Sequence, residues 1–416
     1  MWPHRGPADR RLVDVLRRLR TVDVEAVQHE EEHDEDVHQS PEASSRPGDP
    51  AVVLPVPARR RAGARRPAGG TVRSRPRRRG QVRRGRSPGI TVMESLRVVR
   101  PTTNPYMVQL CRALESTPDV TLRFFSFRAA LLGRYDVLHL HWPEILVESR
   151  RPVRRWSRRL LVAALVLRLH LTRSVVVRTK HNLHRPEGIA RVDHWLLDRL
   201  DRLTRVVIRL NDRTPVERWQ RASTIPHGHY RDWFEGMPHR EPVPGRLAYV
   251  GLVRRYKGVE HLIAAFSSVH DPRLSLHIAG RPSTAQLASE VRSSAGDDRR
   301  ITLDLRFLDD PDLVEAITGS ELVVLPYRHM HNSGTVLAAL SLDRPVLVPD
   351  NDVNRDLAVE VGDGWVHCYE GELSSEDLIR VTAALRLSSA DRPDLTGREW
   401  DTAGRQHREA FLAALA

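Results

Sequence analysis

Residues Ala248–Ala265 read AYVGLVRRYKGVEHLIAA, and the prediction of the fold starts from this stretch. An apolar segment, Leu247–Val250, ends at Gly251, and a short basic turn follows it. Apolar residues then recur at helical spacing, at Val259, Leu262, Ile263 and Phe266. The stretch therefore predicts a strand, a glycine, a cationic loop and a helix in that order.

Such a junction is suited to binding an anion. The first N–H groups of a helix are unpaired and carry the positive end of the helix dipole, and Gly251 lets a ligand approach the backbone closely. Arg254 offers a planar pair of donors to phosphate oxygens, and Lys257 offers a compact positive charge. Lysine occurs only at positions 180 and 257. The alternative is a solvated turn in an arginine-rich protein.

Length and charge favour a globular protein of two or three domains. The chain has 416 residues and a net charge of +13. Residues 1–92 contain 20 arginines and 12 acidic residues, so the remainder is only mildly basic, and we expect no nucleic-acid partner.

Cys111 and Cys368 are too few for a disulfide framework, which fits a reducing cytoplasm. No apolar run is long enough to span a bilayer.

Residues 1–92 are predicted to be a disordered or mis-annotated extension. From Arg59 to Arg86 there are thirteen arginines and no acidic residue, and charge blocks without apolar periodicity indicate disorder. The mis-annotation interpretation places the translation start at Met93, which precedes the strand predicted over residues 96–100. A basic arm for RNA or anionic lipid is the third interpretation.

Residues 93–240 are predicted to form an N-terminal Rossmann-like domain. Strands are expected over 120–127, 135–141, 174–179 and 205–210, with helices over 106–114 and 189–203. The strand that ends near His139 leads into His141 and Glu144, and the next one leads into His181, Asn182 and Glu187. Open parallel sheets bind ligands at the carboxyl ends of their strands. The alternatives are a core histidine at 139 and solvated loops elsewhere.

The segment 152–172 has an apolar centre between cationic flanks. Its uncharged part is too short to cross a membrane at 1.5 Å per residue. It could be a buried crossover helix, or a helix that lies on an anionic membrane with Trp156 at the interface. We expect burial on one face and peripheral membrane contact on the other.

Residues 245–395 repeat the alternation and are predicted to form a second Rossmann-like domain, followed by a C-terminal helix in 396–416. A strand is expected to end at Gly280. Ser333, Gly334 and Thr335 open a helix and offer a second cradle for phosphate. Asp309-Asp310-Pro311-Asp312 is either an ordinary helix N-cap or a metal-binding DxD motif. The fold class is thus α/β, with two doubly wound domains facing a cleft.

The chain from residue 93 onward resembles the GT-B glycosyltransferases, especially the bacterial family 4 type and the glucuronosyl- and mannosyltransferases of exopolysaccharide and glycolipid assembly. The resemblance rests on the order and spacing of five segments: YVGLVRRYKG at 249–258, IAG at 278–280, IPHG at 225–228, VVLPY at 323–327 and RPVLV at 344–348. It implies that Gly251, Arg254, Lys257 and Gly280 bind a nucleotide-sugar donor together with the residues at 333–335.

The sequence departs from this family at one place. The family usually has two glutamates around the helix that starts near residue 334, but Ala338 occupies the second position. No glutamate lies near the first, where the chain reads His329-Met330-His331-Asn332. This departure affects contacts to the donor sugar and ribose, and it leaves a non-catalytic relative as an alternative.

The resemblance implies transfer of a sugar to a lipid-linked or polysaccharide acceptor, at the inner face of the plasma membrane and without a metal or other cofactor. Arg254 and Lys257 would stabilise the leaving diphosphate. His181 would position or deprotonate the acceptor hydroxyl with Asn182 or Glu187, and an inverting reaction would need a base such as Glu187 or Glu144. Asn104, His141 and Glu144 are the predicted acceptor contacts. A sugar-nucleotide epimerase and a nucleic-acid-binding protein are the remaining alternatives.

Overall fold

The structure is a computed structural model that describes residues 89–100, 103–149, 151–186, 188–385 and 392–416. The extension predicted over 1–92 lies almost entirely outside these residues, as does Glu187. Within the described part, two parallel sheets of six strands alternate with helices. The predicted α/β class with two Rossmann-like lobes is therefore confirmed.

The N-terminal lobe contains the first sheet, with the strand order β2-β1-β3-β4-β5-β6. Its strands are β1 (Ile90–Glu94), β2 (Val120–Phe124), β3 (Val137–Leu140), β4 (Val175–Lys180), β5 (Thr204–Arg209) and β6 (Arg221–Thr224). The helices of this part of the chain are α1 (Pro105–Ser116), α2 (Phe127–Leu132), α3 (Glu144–Val147), α4 (Pro152–Leu171), α5 (Arg191–Leu203) and α6 (Arg231–Phe234).

The C-terminal lobe contains the second sheet, with the order β12-β11-β10-β7-β8-β9. Its strands are β7 (Arg246–Val250), β8 (Ser275–Ala279), β9 (Ile301–Asp304), β10 (Leu322–Val324), β11 (Val346–Pro349) and β12 (Val366–Tyr369). The remaining helices are α7 (Val259–Ser267), α8 (Ala285–Ala295), α9 (Asp310–Thr318), α10 (Gly334–Ser341), α11 (Asp352–Val361), α12 (Ser375–Leu385) and α13 (Trp400–Leu415).

Both sheets reverse their winding direction next to a central strand. In the first sheet the chain moves from β1 to β2 and then returns to β3 on the other side of β1. In the second it moves from β7 outward to β9 and then returns to β10. Ligands of open parallel sheets bind beyond the carboxyl ends of the strands at such reversals. The topology therefore places one candidate site after β1 and β3, and another after β7 and β10.

The first strand begins earlier than the sequence analysis predicted. It covers Ile90–Glu94, whereas residues 95–100 are irregular. Ile90, Val92 and Met93 are all buried in the lobe, because both faces of this interior strand are covered. The strand predicted over 96–100 is therefore wrong. Met93 lies inside β1, so a chain that started at this residue would lack most of the strand.

The last helix, α13, returns to the N-terminal lobe. Trp400, Ala403 and Phe411 join the same apolar cluster as Ile90 and Val92 of β1, and α13 packs on α1. The helix was predicted, but its sequence position after the second lobe gave no indication of this location. The two lobes are thus connected both by the chain near residue 240 and by α13.

Candidate active site

A buried hydrogen-bonded network lies at the carboxyl ends of β1, β3 and β4. Oε1 of Glu94 is 2.7 Å from Nδ1 of His139, and Oε2 is 3.1 Å from Nε2 of His141. Nδ1 of His141 is 3.0 Å from Nε2 of His181, and Nε2 of His139 is 2.8 Å from Oγ1 of Thr179. Glu94, His139 and His141 are buried, whereas His181 is half-buried. The network therefore connects a buried carboxylate to the half-buried residue His181.

The local electrostatics favour an ionised carboxylate beside neutral rings. Burial alone would raise the pKa of Glu94, but the electrostatic attraction of His139 and the hydrogen bonds from His139 and His141 outweigh it, and the pKa lies well below its usual range. Burial lowers the pKa of His141 to about 4. Burial, together with His141 and His227, holds the pKa of His181 well below its usual value. Both rings are neutral near pH 7.

The same cluster contains atoms of the kinds that bind transition metals. One ligand atom from each of Glu94, His139 and His141 lies within 4.8 Å of the others. Imidazole nitrogen and carboxylate oxygen are ligands of zinc and non-haem iron. Hydrogen bonds between these atoms already account for their spacing, so we describe the cluster as a hydrogen-bonded network.

Aromatic rings fix the orientation of His181. The indole of Trp142 stacks on the imidazole with ring centres 4.3 Å apart and planes 19° from parallel. Tyr106 approaches edge-on, with ring centres 5.1 Å apart at 89°. Tyr106 also contacts the rings of His227 and Trp400 at 4.6 and 5.5 Å. A ring held on two sides in this way has little freedom to rotate.

Three of the predicted donor-binding segments meet in the second lobe. Gly251 follows β7 and Gly280 follows β8, both with positive φ, at 109° and 150°. A Cβ atom on Gly280 would lie 1.8 Å from the main-chain oxygen of Gly251, so only glycine fits where these loops touch. A Cβ atom on Gly251 would lie 3.6 Å from Oγ1 of Thr335. The start of α10 therefore lies beside the same loops.

The cationic turn forms a short 3₁₀ helix over Arg255–Lys257. Nζ of Lys257 lies 5.1 Å from the centre of the Tyr327 ring, and both Lys257 and Arg254 are half-buried. Arg255 is different, because it is exposed and lies 2.9 Å from Glu290 in an ion pair. Within this turn, Arg254 and Lys257 are therefore less exposed to solvent than Arg255.

The helix α10, which begins at the second predicted phosphate cradle, is capped by the side chain of Ser333. Oγ of Ser333 accepts a hydrogen bond of 3.3 Å from the backbone N–H of Val336, so Ser333 is the N-cap of α10. Gly334 is exposed, and Thr335 is half-buried. The main-chain N–H groups at 334 and 335 belong to the first turn, where a helix leaves donors unpaired.

The segment 331–332, where the sequence lacks the family glutamate, contacts the N-terminal lobe. Nδ2 of Asn332 donates a hydrogen bond of 2.7 Å to the main-chain oxygen of His181. Oδ1 of Asn332 accepts one of 2.8 Å from Nδ2 of Asn211, and Nε2 of His331 is 2.7 Å from Oγ1 of Thr214. The loop that precedes α10 is therefore tied to the loops that follow β4 and β5.

Other predicted residues occupy less central positions. Asn104 caps α1, because its Oδ1 accepts a hydrogen bond of 2.9 Å from the N–H of Tyr106. Glu144 lies 3.7 Å from Arg178 in an ion pair, and Asn182 is exposed. Asp309 accepts a hydrogen bond of 3.0 Å from the N–H of Asp312 and caps α9. The N-cap interpretation of this aspartate motif is confirmed.

Sequence reasoning missed several residues of the site, above all Glu94, Tyr106 and Asn332. A signal for Glu94 was present, because Ile90–Met93 is an apolar run that ends in a carboxylate, the same pattern that drew attention to His139 and His141. The first strand was predicted over residues 96–100, which begin after Glu94, so this prediction did not place Glu94 at the end of a strand. Tyr106 was placed on a helix, and nothing in the helical pattern distinguishes a site residue from a core aromatic.

Comparison with known proteins agrees with this geometry. Residues 244–379 match the family model described as glycosyl transferases group 1. A GDP-mannose:glycolipid 4-beta-D-mannosyltransferase of Xanthomonas campestris pv. campestris is 47% identical over 339 residues, which cover 80% of this chain and 95% of the relative. The chain belongs to the group 1 glycosyl transferases. A second protein of the same description is 46% identical over the same proportions.

Solved structures give a weaker match. The Anabaena protein HepE in complex with UDP has a TM-score of 0.49 at 12% identity, and the match covers 78% of this chain and 95% of that one. A sucrose-phosphate synthase from Thermosynechococcus elongatus has a TM-score of 0.48 at 15% identity and covers 79% and 95%.

Family membership confirms that the protein is a glycosyltransferase of the GT-B type, as the five sequence segments predicted. The individual roles of the site residues remain predictions. The structure places them in two groups, one around His181 and one around Gly251, and the contact between His181 and Asn332 connects the groups.

Proposed function

We propose that this glycosyltransferase moves a mannosyl group from GDP-mannose to a lipid-linked saccharide and forms a β linkage. The observation that carries the proposal is the 47% identity to a GDP-mannose:glycolipid 4-beta-D-mannosyltransferase over 95% of that protein's length. The aligned residues cover both lobes, so the match covers the lobe predicted to bind the donor and the lobe predicted to bind the acceptor.

On the donor side, the second lobe supplies positive charge for the diphosphate. Arg254 and Lys257 lie on the turn after β7, and the first turn of α10 adds unpaired N–H groups near Thr335. Negative charge develops on the diphosphate as the bond to the sugar breaks, and preorganised donors stabilise it. These groups do the work that a divalent cation does elsewhere, so the transfer proceeds without a metal.

On the acceptor side, stereochemistry requires a base. The mannosyl group of GDP-mannose is α-linked, so a β product needs inversion at the anomeric carbon and removal of a proton from the attacking hydroxyl. His181 is the described residue best placed for this, since it is neutral and half-buried at the end of β4. Glu144 is engaged with Arg178, and Glu187 lies outside the described residues. Asn182, exposed beside His181, would orient the hydroxyl.

The proposal is tested by incubating the full chain with GDP-[¹⁴C]mannose and a lipid-linked oligosaccharide. We expect a product whose anomeric coupling constant shows a β linkage, unchanged yield in EDTA, and no product from UDP-glucose. The Lys257→Ala variant should bind donor weakly. Epimerised or hydrolysed nucleotide sugar without acceptor product would instead favour an epimerase. Absence of donor binding would favour a non-catalytic relative.

Helix α4 is the surface that we propose for contact with the acceptor's membrane. One face buries Val162, Leu165 and Leu169. The opposite face presents large apolar side chains that are 59 to 84% exposed, namely Val153, Trp156, Leu160, Leu167 and Leu171. None of the helices in the described part of the chain is long and apolar enough to cross a bilayer. A helix with one buried face and one exposed apolar face can lie on a membrane instead.

Arginines accompany this apolar face. Arg151, Arg154 and Arg155 at the start of α4 and Arg173 just after its end are all exposed. Each cation near an anionic leaflet contributes about 1 kcal/mol of attraction. The apolar side chains would enter the interface, and the arginines would bind lipid phosphates, so the proposed partner is an anionic membrane surface.

Vesicle sedimentation tests this surface. The full chain should bind vesicles of phosphatidylglycerol and phosphatidylcholine more tightly than vesicles of phosphatidylcholine alone. The double variant Trp156→Ser, Leu160→Ser should weaken binding about 10-fold or more, because each large apolar side chain contributes roughly 1.5–3 kcal/mol on burial. Val359→Ser, at a side chain that is 85% exposed on α11, is the matched control. Equal binding by both variants would contradict the assignment.

A further inference from the structure

The tautomers of three site residues follow from the buried carboxylate of Glu94. Both of its oxygens face imidazole nitrogens, Nδ1 of His139 at 2.7 Å and Nε2 of His141 at 3.1 Å. An ionised carboxylate only accepts hydrogen bonds, so both of these nitrogens carry hydrogen. Since the pKa of Glu94 is well below its usual range, this condition holds throughout the physiological range.

The assignment of His141 then determines that of His181. A neutral ring with hydrogen on Nε2 accepts at Nδ1, and Nδ1 of His141 lies 3.0 Å from Nε2 of His181. His181 must therefore donate from Nε2, and its lone pair is on Nδ1. Within the described residues, no hydrogen bond occupies this Nδ1. A base needs such an unprotonated and unoccupied nitrogen.

The chain of hydrogen bonds opens to solvent at one end. Glu94 and His139 are completely buried and His141 is 2% exposed, whereas His181 is half-buried. The rings of Trp142 and Tyr106 hold His181 in place. Of these residues, His181 is the one that a substrate hydroxyl can approach.

We propose that Glu94 and His141 form a proton relay that makes Nδ1 of His181 the acceptor for the proton of the incoming sugar hydroxyl. The inference deepens the proposed function and rests on it for the identity of the substrate. His181 is the residue that touches the hydroxyl. Glu94 and His141 act through it and are positioning residues. His139 shares Glu94 but leads to Thr179, away from His181, so it lies off the relay.

The step balances as follows. The hydroxyl oxygen forms a bond to the anomeric carbon while its proton passes to Nδ1 of His181. The bond between that carbon and the diphosphate oxygen breaks, and the electron pair stays on the diphosphate. The Nε2 proton of His181 can pass to Nδ1 of His141, which keeps its own Nε2 proton on Glu94. The carboxylate of Glu94 stays ionised and stabilises the positive charge that the two rings gain.

A matched pair of variants isolates the relay. His141→Gln keeps an N–H group that can reach Glu94, but a neutral amide cannot take up a proton from His181. His270→Asn, in the exposed loop after α7, replaces a histidine outside the site. We expect kcat to fall about 100-fold in His141→Gln, in line with the usual contribution of general-base catalysis, and to change less than about threefold in His270→Asn. Donor affinity should be unchanged in both.

The pH profile adds a readout that a purely structural role would not change. Glu94 raises the pKa of His141, whereas burial, the neighbouring rings of His139 and His227, and Arg178 oppose protonation of the pair. Glu94→Gln removes the negative charge. We therefore expect kcat to fall and the acidic limb of kcat/KM to move to lower pH. A fall in kcat with an unmoved limb would contradict the relay.

An NMR measurement separates failure of the relay from failure of the proposed function. In the ¹⁵N-histidine-labelled full chain, with signals assigned by comparison with His181→Gln, His181 should show an unprotonated Nδ1 and a protonated Nε2 at pH 7. This result is independent of any substrate. Protonated Nδ1 of His181, or one equivalent of tightly bound divalent metal that Glu94→Gln loses, would overturn the relay. Correct tautomers without mannosyl transfer would overturn only the proposed function.

Discussion

The side-chain amide of Asn332 donates a hydrogen bond of 2.7 Å to the main-chain oxygen of His181. Asn332 precedes α10, whose N-terminus is the predicted phosphate cradle. His181 follows β4 in the other lobe. The position of the proposed base is thereby set relative to the donor loop. Asn332 lies in the segment where the resemblance predicts a glutamate and the sequence has none, and this segment connects the lobes.

Removal of this contact should slow the reaction without weakening donor binding. Asn332→Ala frees the backbone at His181, and a misplacement of about 1 Å in an active site can cost up to about 100-fold in rate. We expect kcat to fall about 10-fold, with the GDP-mannose dissociation constant from calorimetry unchanged. Arg213→Ala is the control, because it removes an exposed ion pair of 2.7 Å with Asp356 that also links the lobes. Similar losses in both variants would contradict a specific role for Asn332.

Lys257 should contribute directly to donor affinity. Its ammonium lies beside the Tyr327 ring on the turn that precedes α7, and a charged hydrogen bond contributes about 1.5–3 kcal/mol. Lys257→Ala is therefore expected to raise the dissociation constant of GDP-mannose about 10- to 100-fold in calorimetry. Arg255→Ala, two residues away and paired with Glu290 on the surface, should leave it within about twofold. A stronger effect at Arg255 would place the phosphate elsewhere.

Gly280 should be intolerant of any side chain. A Cβ atom there would lie 1.8 Å from the main-chain oxygen of Gly251, at a φ of 150° that other residues rarely adopt. Gly280→Ala must displace the loops after β7 and β8, and we expect a loss of about 2–4 kcal/mol in the free energy of unfolding by urea denaturation. Gly397→Ala, whose Cβ would meet Glu360 at 3.7 Å, serves as the comparison. Equal stability of the two variants would rule out the close contact.

The sequence contains enough information for the α/β architecture and for the donor side of the site. Apolar runs alternate with helical patterns through both lobes, and this periodicity predicts strands such as β7 directly. Gly251, Lys257 and Thr335 lie within local strand–loop–helix patterns, so their neighbourhood follows from positions close in sequence. Parallel topology then brings the ends of the strands to one edge of the sheet.

The acceptor side depends on contacts that local patterns do not carry. Glu94 and His181 lie in different βα units, and only the return of the chain to β3 and β4 brings them together. Trp400 reaches Tyr106 because α13 packs on the first lobe, which its position near the C-terminus does not reveal. A cross-lobe hydrogen bond such as that of Asn332 requires the relative placement of two sheets.

Buried neutral histidines should make the fold labile to mild acid. Burial lowers the pKa of His141 and of His227 to about 4, and that of His407 to about 3. In the unfolded chain their pKa is about 6.5. Below this pH the unfolded state binds protons that the folded state does not, so stability is present above pH 6.5 and falls as the pH approaches 4. Between these two pKa values, each such residue lowers the free energy of unfolding by about 1.4 kcal/mol for every pH unit of acidification.

Urea denaturation at pH values from 7.5 to 5 would measure this slope. His407 is outside the relay, so His407→Leu should remove its share and reduce the pH dependence by about 1.4 kcal/mol per unit. His270→Leu, at an exposed histidine in the loop after α7, is the comparison for the same replacement outside the core. A free energy of unfolding that stays constant from pH 7 to 5 would mean that these rings bind protons in the fold as readily as in the unfolded chain. The proposed relay, which needs neutral His141 and His181, would then lose its electrostatic basis.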